Sequence, residues 1–341
     1  MRRFWQRLWK KSKPAGVALI VLFLLYATAL LANFLSPYPY ERQFREYSLC
    51  PPTRIHFIDS QGRFHLRPFV YGITVVNPAF KRYREDHTRL YPIKFFAEGR
   101  RRILGVEPPG KIFLLGTDLH GRDIFSRILH GARISLSIGL IGVSISFLLG
   151  LIIGGVSGYF GGRLDTVLMR LVEIIMTFPS FYLLLALRAS FKPNISSLQL
   201  YLLIVIIMSL IGWASLARII RGMVLSLKEE EFVMASRSLG LSTFRIITRH
   251  ILPNTFSYTV TALTLSIPGY ILGESTLSLL GLGIQEPYPS WGNMLSICVG
   301  NLRILTLAPW MLTPGLCIFV TVMCFNFLGD GLREVMDPRN W

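Results

Sequence analysis

The residues of this chain best suited to chemistry are thinly spread. Six histidines (His56, His65, His87, His120, His130 and His250) fall at no spacing that sets two imidazoles and a carboxylate on one helix face, as a metal hydrolase needs. Gly110–Lys111 comes nearest to a phosphate-cradling loop, but it lacks both the earlier glycine and the following hydroxyl residue. Ser135, in the run GARIS, has no strand-to-helix elbow to activate it, so helix packing is the better reading. The expectation is a chain that is no enzyme and binds no cofactor or metal of its own. Three carboxylates remain, Glu173, Glu274 and Asp330, each within or at the end of an apolar run. A carboxylate in lipid is costly and turns to the bundle interior or a water-filled path. Glu173 and Glu274 are therefore candidate path residues, with a structural hydrogen bond as the equal alternative.

The elements that carry them are membrane spans. The chain has 341 residues, 52% hydrophobic and 16% charged, with a mean hydropathy of +0.48, against about 25% charged in soluble proteins. Its apolar runs approach 20 residues, the length that crosses a bilayer core as a helix. Candidate spans are Ala15–Leu35, Ile134–Tyr159, Val167–Leu187, Tyr201–Ile220, Phe256–Leu282 and Leu307–Leu328. The fold class is thus an all-α polytopic membrane protein with about six transmembrane helices. The net charge of +17 meets no nucleic-acid-binding motif, and its basic residues crowd the span flanks, where they set orientation. The basic start MRRFWQRLWKKSK places the N-terminus in the cytoplasm, and the span count returns the C-terminus there. Pro268, Pro309 and Pro314 suggest kinks. Cys317 and Cys324 read as small core residues. Cys50 and Cys298 could face one side of the membrane, which leaves a disulfide between them open.

Between the first two spans, RIHFIDSQGRFHLRPFVYGITVV alternates like strands about a Ser-Gln-Gly turn. A small β-containing external insertion is expected, with KRYREDHTR (81–89) as a solvated charged face or loop. In GLIIGGVSGYFGG, Gly150, Gly154, Gly158 and Gly162 recur every four residues, a face along which helices approach closely.

One charged stretch interrupts the apolar runs: KEEEFVMASRSLGLSTFRIITRHILPN, Lys228 to Asn254. Phe232, Ala235 and Leu239 recur at helical spacing, behind Glu229, Glu230 and Glu231 in a first turn where the helix dipole favours negative charge. Gly240 is a C-terminal stop. Ser242 can cap a second short helix in which Phe244, Ile247 and Ile251 share a face. Helices this short need packing to persist. Periodicity leaves two alternatives, a segment lying on lipid or its own spans, and a helix set into a groove of a cytoplasmic partner.

The segment resembles the cytoplasmic signature loop of ABC importer permeases: E-A-A, three residues, G, nine residues, I-x-L-P. Its matching positions here are Met234, Ala235, Ser236, Gly240, His250, Ile251, Leu252 and Pro253. Met234, Ser236 and His250 depart from the pattern, whereas Ala235, Gly240, Leu252 and Pro253 keep it. LGTDLHGRDIFSRILHGARISLSIG (Leu115–Gly139), GESTLSLLGLGIQEPYPSWGNML (Gly273–Leu295) and NFLGDGLREVMDPR (Asn326–Arg339) are similar to segments of dipeptide and oligopeptide importer permeases, of the second permease subunit type.

The resemblance implies a permease subunit of an ATP-driven importer, for peptides or alternatively for nickel or another small solute. It implies ATPase coupling through Phe232, Ala235, Ser236, Leu239, Gly240, Leu252 and Pro253. The implied partners are a second homologous permease subunit, ATP-binding subunits that use ATP and Mg, an extracytoplasmic solute-binding protein and membrane lipid, with no nucleic acid. The implied location is the bacterial inner membrane. The expected organisation is a cytoplasmic N-terminus (1–14), a first span (15–35), an external insertion and amphipathic lead-in (36–133), a permease core (134–330) with its coupling segment at 223–255, and a cytoplasmic C-terminus (331–341). A stand-alone secondary transporter or channel is the alternative of another class; it calls for inverted repeats with broken helices, and no such repeat is visible.

Overall fold

The computed structural model describes residues 8–9, 11–77, 81–96, 102–191 and 196–336. The expected cytoplasmic ends, 1–14 and 331–341, and the last residues of the Asn326–Arg339 motif lie partly outside them. The elements run in the order α1 (Lys13–Leu30), α2 (Ala32–Leu35), β1 (His56–Ile58), β2 (Phe64–Asn77), β3 (Arg82–Phe96), β4 (Arg102–Val106), α3 (Ile124–Phe160), α4 (Gly162–Thr177), α5 (Ser180–Ala189), α6 (Ser197–Leu227), α7 (Glu231–Ser238), α8 (Thr243–Ile246), α9 (Phe256–Leu279), α10 (Trp291–Val299), α11 (Leu302–Leu307) and α12 (Thr313–Met336). They form two compact units: Phe23–Leu136 with Ser275–Phe319, and Met1–Leu22 with Ser137–Glu274 and Val320–Trp341.

The first of these units holds the insertion, an antiparallel sheet in the order β1-β2-β3-β4. The expected turn is an Asx turn in which Asp59 Oδ1 accepts the Gln61 and Arg63 N–H groups, each at 2.9 Å. Alternation sends Val70 and Ile93 to one side, where they bury against Ile112, Tyr38 and Leu104. The run 81–89 falls largely in β3 rather than in a loop, and its charges occupy a mostly solvated strand. The sequence understated this sheet because charged residues on an exposed strand face mimic a loop. In the same unit, Cys50 and Cys298 are both buried free thiols, so the open question of a disulfide is answered by two separate side chains.

Among the described residues, four helical stretches are long and apolar enough to cross a membrane, or five if the bent pair α4 and α5 counts as one, against an expectation of about six spans. The candidate Phe256–Leu282 does form a 24-residue helix, α9, but its Ser, Thr, Gly and Pro residues dilute the apolar signal. The candidate Val167–Leu187 is no single straight span: α4 and α5 meet at 86°. Pro179 accounts for the break, since its ring disfavours helical geometry at Phe178, which is extended at ψ 134°. The candidate Leu307–Leu328 starts later, with Pro309 opening a single 3₁₀ turn and Pro314 in the first turn of α12. Proline is pre-organised for such starts, so neither kinks a span. Pro268 lies inside the unbroken α9.

In the other unit, the glycine row packs α3 onto α6. A Cβ on Gly150 would meet Leu216 at 2.9 Å, one on Gly154 the Ala217 carbonyl at 2.5 Å, and one on Gly158 the Arg221 carbonyl at 2.8 Å. Gly162 does not continue the row: it opens α4 with open space around it.

Candidate coupling site and membrane cleft

The charged interruption folds as a helix, a glycine turn and a second helical stretch. α7 ends in a Schellman arrangement, with Gly240 N–H donating to the Arg237 carbonyl (2.9 Å) and Leu241 N–H to the Ser236 carbonyl (3.2 Å). Gly240 carries φ +74°, a left-handed value that a side chain would strain. Ser242 takes the N-cap position of α8, yet its side chain makes no capping bond. A π-turn over Ile247–Ile251 follows, then a 3₁₀ turn over Leu252–Thr255. Pro253 has no N–H to give the helix ladder, which explains the widening before it. Asn254 Nδ2 donates instead to the His250 carbonyl at 2.6 Å.

Packing decides which side chains face inward. Val233, Ile246 and Ile251 are buried with Leu216, Ile220 and Val224 of α6, and full burial of one such side chain contributes about 1.5–3 kcal/mol. Ser236 is also buried, its Oγ donating to the Phe232 carbonyl at 2.8 Å. Leu252 packs partly against the same cluster. Phe232, Met234, Ala235, Leu239 and Pro253 are exposed, Leu239 by 80%. Phe244, expected to share a face with Ile247 and Ile251, is 77% exposed, whereas Ile251 is fully buried, so the three do not lie on one face. The π-turn shifts the phase after Ile246, which three-and-four spacing could not anticipate.

An unexpected ion pair fixes this end of the bundle. Arg221 Nε and Nη2 each donate to Asp165 at 2.5 Å, and Ser157 Oγ donates to the same carboxylate. Asp165 sits in the first turn of α4 and Arg221 in the last third of α6. An acid just past a Gly-Gly turn and an arginine closing an apolar run are the sequence signals that were overlooked.

The same unit contains a cleft of about 590 Å³, lined in part by Ser146, Met208, Tyr258, Tyr270 and Gly273. Its wall is braced by a 2.5 Å hydrogen bond between Ser146 Oγ and Tyr270 Oη. Neither candidate path carboxylate lines it. Glu274, fully buried, directly follows the lining residue Gly273, and Glu173 lies exposed on α4 with Arg170 at 3.1 Å.

In the unit that carries the sheet, two of the quoted motifs meet. Asp118 Oδ1 accepts the backbone N–H of His120 (2.8 Å) and Arg122 (2.9 Å), while its Oδ2 accepts Arg122 Nε at 2.7 Å. Arg122 and the fully buried Arg127 both donate to Glu286. Burial alone would raise the Glu286 pKa, but the charges of Arg127 and Arg122 outweigh it and hold it below the ordinary range. Trp291 adds a second tie, its Nε1 donating to the Ile128 carbonyl at 3.1 Å. Asp123 caps α3 by accepting from Ser126 N–H and Oγ, and burial pushes its pKa up to about 7. Among the described residues no three His, Cys, Asp or Glu side chains are placed to hold a metal ion.

Residues 146–341 match the family described as binding-protein-dependent transport system inner membrane component. Residues 1–52 match the N-terminal TM domain of oligopeptide transport permease C. The dipeptide transport system permease protein DppC of Bacillus subtilis (strain 168) is 34% identical over 336 residues, 98% of this chain and 84% of that protein. The oligopeptide transport system permease protein OppC of Haemophilus influenzae is 43% identical over 226 residues, 66% of this chain and 70% of that protein. A solved structure of the MetNI methionine ABC transporter in an inward-facing conformation aligns over 61% of this chain and 96% of that one, with 18% identity and a TM-score of 0.46. The chain therefore belongs to the binding-protein-dependent transport system inner membrane components, within the group of dipeptide and oligopeptide permeases, and is a multi-pass transport subunit of an ABC importer rather than an enzyme.

Proposed function

We propose that this chain is one of two homologous permease subunits of an ATP-driven peptide importer, and that the segment Lys228–Asn254 couples it to the ATPase. The observation that carries the coupling role is the exposed apolar set Phe232, Met234, Leu239 and Phe244 on a segment whose other exposed residues are mostly charged or polar. Such a patch, anchored from behind by Val233 and Ile246, is suited to dock into a groove of a partner. In this reading Phe232, Ala235 and Leu239 make the contact. Gly240 and Pro253 shape the turns, and Ser236 and Leu252 seat the segment on α6. The peptide class rests on the names of the relatives.

ATP and Mg are used by the partner ATPase subunits, and an extracytoplasmic solute-binding protein delivers the cargo. Both termini and the coupling segment are cytoplasmic, and residues 36–133 lie outside. The cleft beside Tyr258 and Tyr270 forms this subunit's share of the path. Of the two acidic candidates, Glu274 lies buried directly behind its wall, while Glu173, exposed on α4, could reach a path only at another face. ATP can drive the cycle only if the ATPase engages the inward-open and outward-open states differently, and Lys228–Asn254 transmits that difference.

The test is co-purification with the ATPase subunit, at matched expression, of wild type and Gly240→Val, together with uptake of labelled peptides. The variant should insert normally, bind the ATPase subunit weakly and lose uptake. Unchanged binding with unchanged uptake would end the coupling assignment.

A further inference from the structure

The first span ends beside a cationic cleft that transport leaves unexplained. The cleft has a volume of about 260 Å³, and its lining includes Pro37, Tyr38, Arg42, Lys94, Arg102 and Lys111. Pro37 and Tyr38 follow α2 by one and two residues past Ser36, and α2 packs against β4, part of which lines the same cleft. A basic cleft with a tyrosine at the end of a span stands where lipid headgroups lie.

Its floor is rigid. The rings of Tyr38, Phe44 and the fully buried Phe113 pack with centroids 4.8 to 5.9 Å apart. Tyr38 Oη accepts the Ile112 N–H at 3.0 Å. Two cations share this floor, the Arg42 guanidinium 5.0 Å and the Lys111 ammonium 5.1 Å from the Phe44 centroid. Lys94 is paired with Glu107, and Arg102 donates to the Pro37 carbonyl at 2.6 Å. Arg42 and Lys111 have no carboxylate at ion-pair distance among the described residues. Burial, and then the charge of Arg42, hold the Lys111 pKa below the ordinary lysine range, against a weaker pull from Glu46. Two like charges that line one cleft, the first lowering the second's affinity for a proton, favour an anion within it.

We propose that this cleft binds the phosphate of a phospholipid headgroup, with Arg42 and Lys111 on the phosphate oxygens. The lipid source is favoured over a free anion by the apolar span that precedes the cleft in the chain. Leu24, Leu30 and Leu31, on the last turns of α1 and just past its end, are more than half exposed and offer an apolar rail for the acyl chains.

The probe is dioleoylphosphatidylglycerol, added to the delipidated full-length chain in detergent and read by native mass spectrometry. The variant carrying Arg42→Gln and Lys111→Gln should lose about thirtyfold in affinity for one lipid adduct, as expected from removing two juxtamembrane basic charges. The charge-keeping pair Arg42→Lys and Lys111→Arg should retain it. A second readout uses the unaltered chain, so it does not depend on a variant folding. Phosphatidylglycerol with a diazirine in its headgroup should label residues 37–44 or 102–111. Equal retention by wild type and the double glutamine variant, absence of label from both segments, or complete displacement by equimolar inorganic phosphate would each overturn the proposal.

Discussion

Arg122 and Glu286, 164 positions apart in sequence, meet in a two-pronged ion pair, Nη1 to Oε2 at 2.5 Å and Nη2 to Oε1 at 3.0 Å. Arg127 Nη2 joins the same carboxylate at 2.9 Å. Glu286→Gln should therefore leave two buried guanidinium groups short of an anion. Because the Glu286 side chain is 46% exposed, water offsets part of the loss. We expect a cost of about 1–3 kcal/mol, below the 3–5 typical of a fully buried pair. Thermal unfolding in detergent measures it, and an unchanged midpoint would show the pair to be energetically idle. The depressed Glu286 pKa gives this contribution a sign: it is present above the ordinary carboxylate range and fades as pH falls through the lower folded value.

Asp123 should act in the opposite sense. Its pKa is raised from 3.8 to about 7, so the folded chain holds a proton that the unfolded chain releases between those values. Its contribution to stability is present below about pH 4 and is lost as pH rises toward 7. Asp123→Asn removes the titration while keeping a capping side chain. The variant's unfolding midpoint should fall less than that of wild type between pH 4 and pH 7. Parallel curves would contradict the assignment.

Contact and folding should separate on α7. Leu239→Glu changes a side chain that is 80% exposed, so stability should move by less than about 0.5 kcal/mol, while co-purification with the ATPase subunit weakens. Val233→Asp buries a charge at a position with no exposure and should lower the unfolding temperature and the yield together. A Leu239→Glu chain that binds the ATPase subunit as wild type does would remove Leu239 from the contact.

The glycine row has an internal control. Gly154→Leu drives a side chain into the Ala217 carbonyl and should cost about 1–3 kcal/mol through overpacking of α3 on α6. Gly222→Leu, with no atom near its Cβ position, should be tolerated. Equal unfolding temperatures for the two variants would mean that the close approach carries no energy.

Sidedness is tested at the β1–β2 turn. A cysteine at position 62, exposed and with open space at its Cβ although its φ of +78° strains the turn, should react with a membrane-impermeant maleimide from the outside of intact cells. Labelling from the cytoplasmic side alone would reverse the proposed topology.

What the sequence revealed depended on how local the cause was. Gly240, the turn after Asp59 and the close glycines 150, 154 and 158 were legible because each follows from a few neighbouring residues. The phase of Phe244 was not, since the π-turn answers to Pro253, nine residues on. The bend between α4 and α5 was announced by Phe178–Pro179, yet unbroken hydropathy hid it. The Arg122–Glu286 and Arg221–Asp165 pairs lay beyond any local pattern, because each joins residues more than fifty positions apart.

The length of α3 carries a consequence of its own. At 1.5 Å per residue its 37 residues extend to about 55 Å, whereas the hydrocarbon slab is about 30 Å thick. Standing along the bilayer normal, such a rod would leave roughly 25 Å clear of the oil, and tilt would shorten that excess. Arg127, His130 and Arg133, all in the first three turns, mark the end left clear. Lipid thickness alone therefore cannot fix how deeply this rod sits. The Arg133 guanidinium, held by the carbonyls of Ala29 and Leu30, acts as its depth stop against the neighbouring span. Thinning or thickening the bilayer should then tilt the two helices as one piece before it slides either past the other.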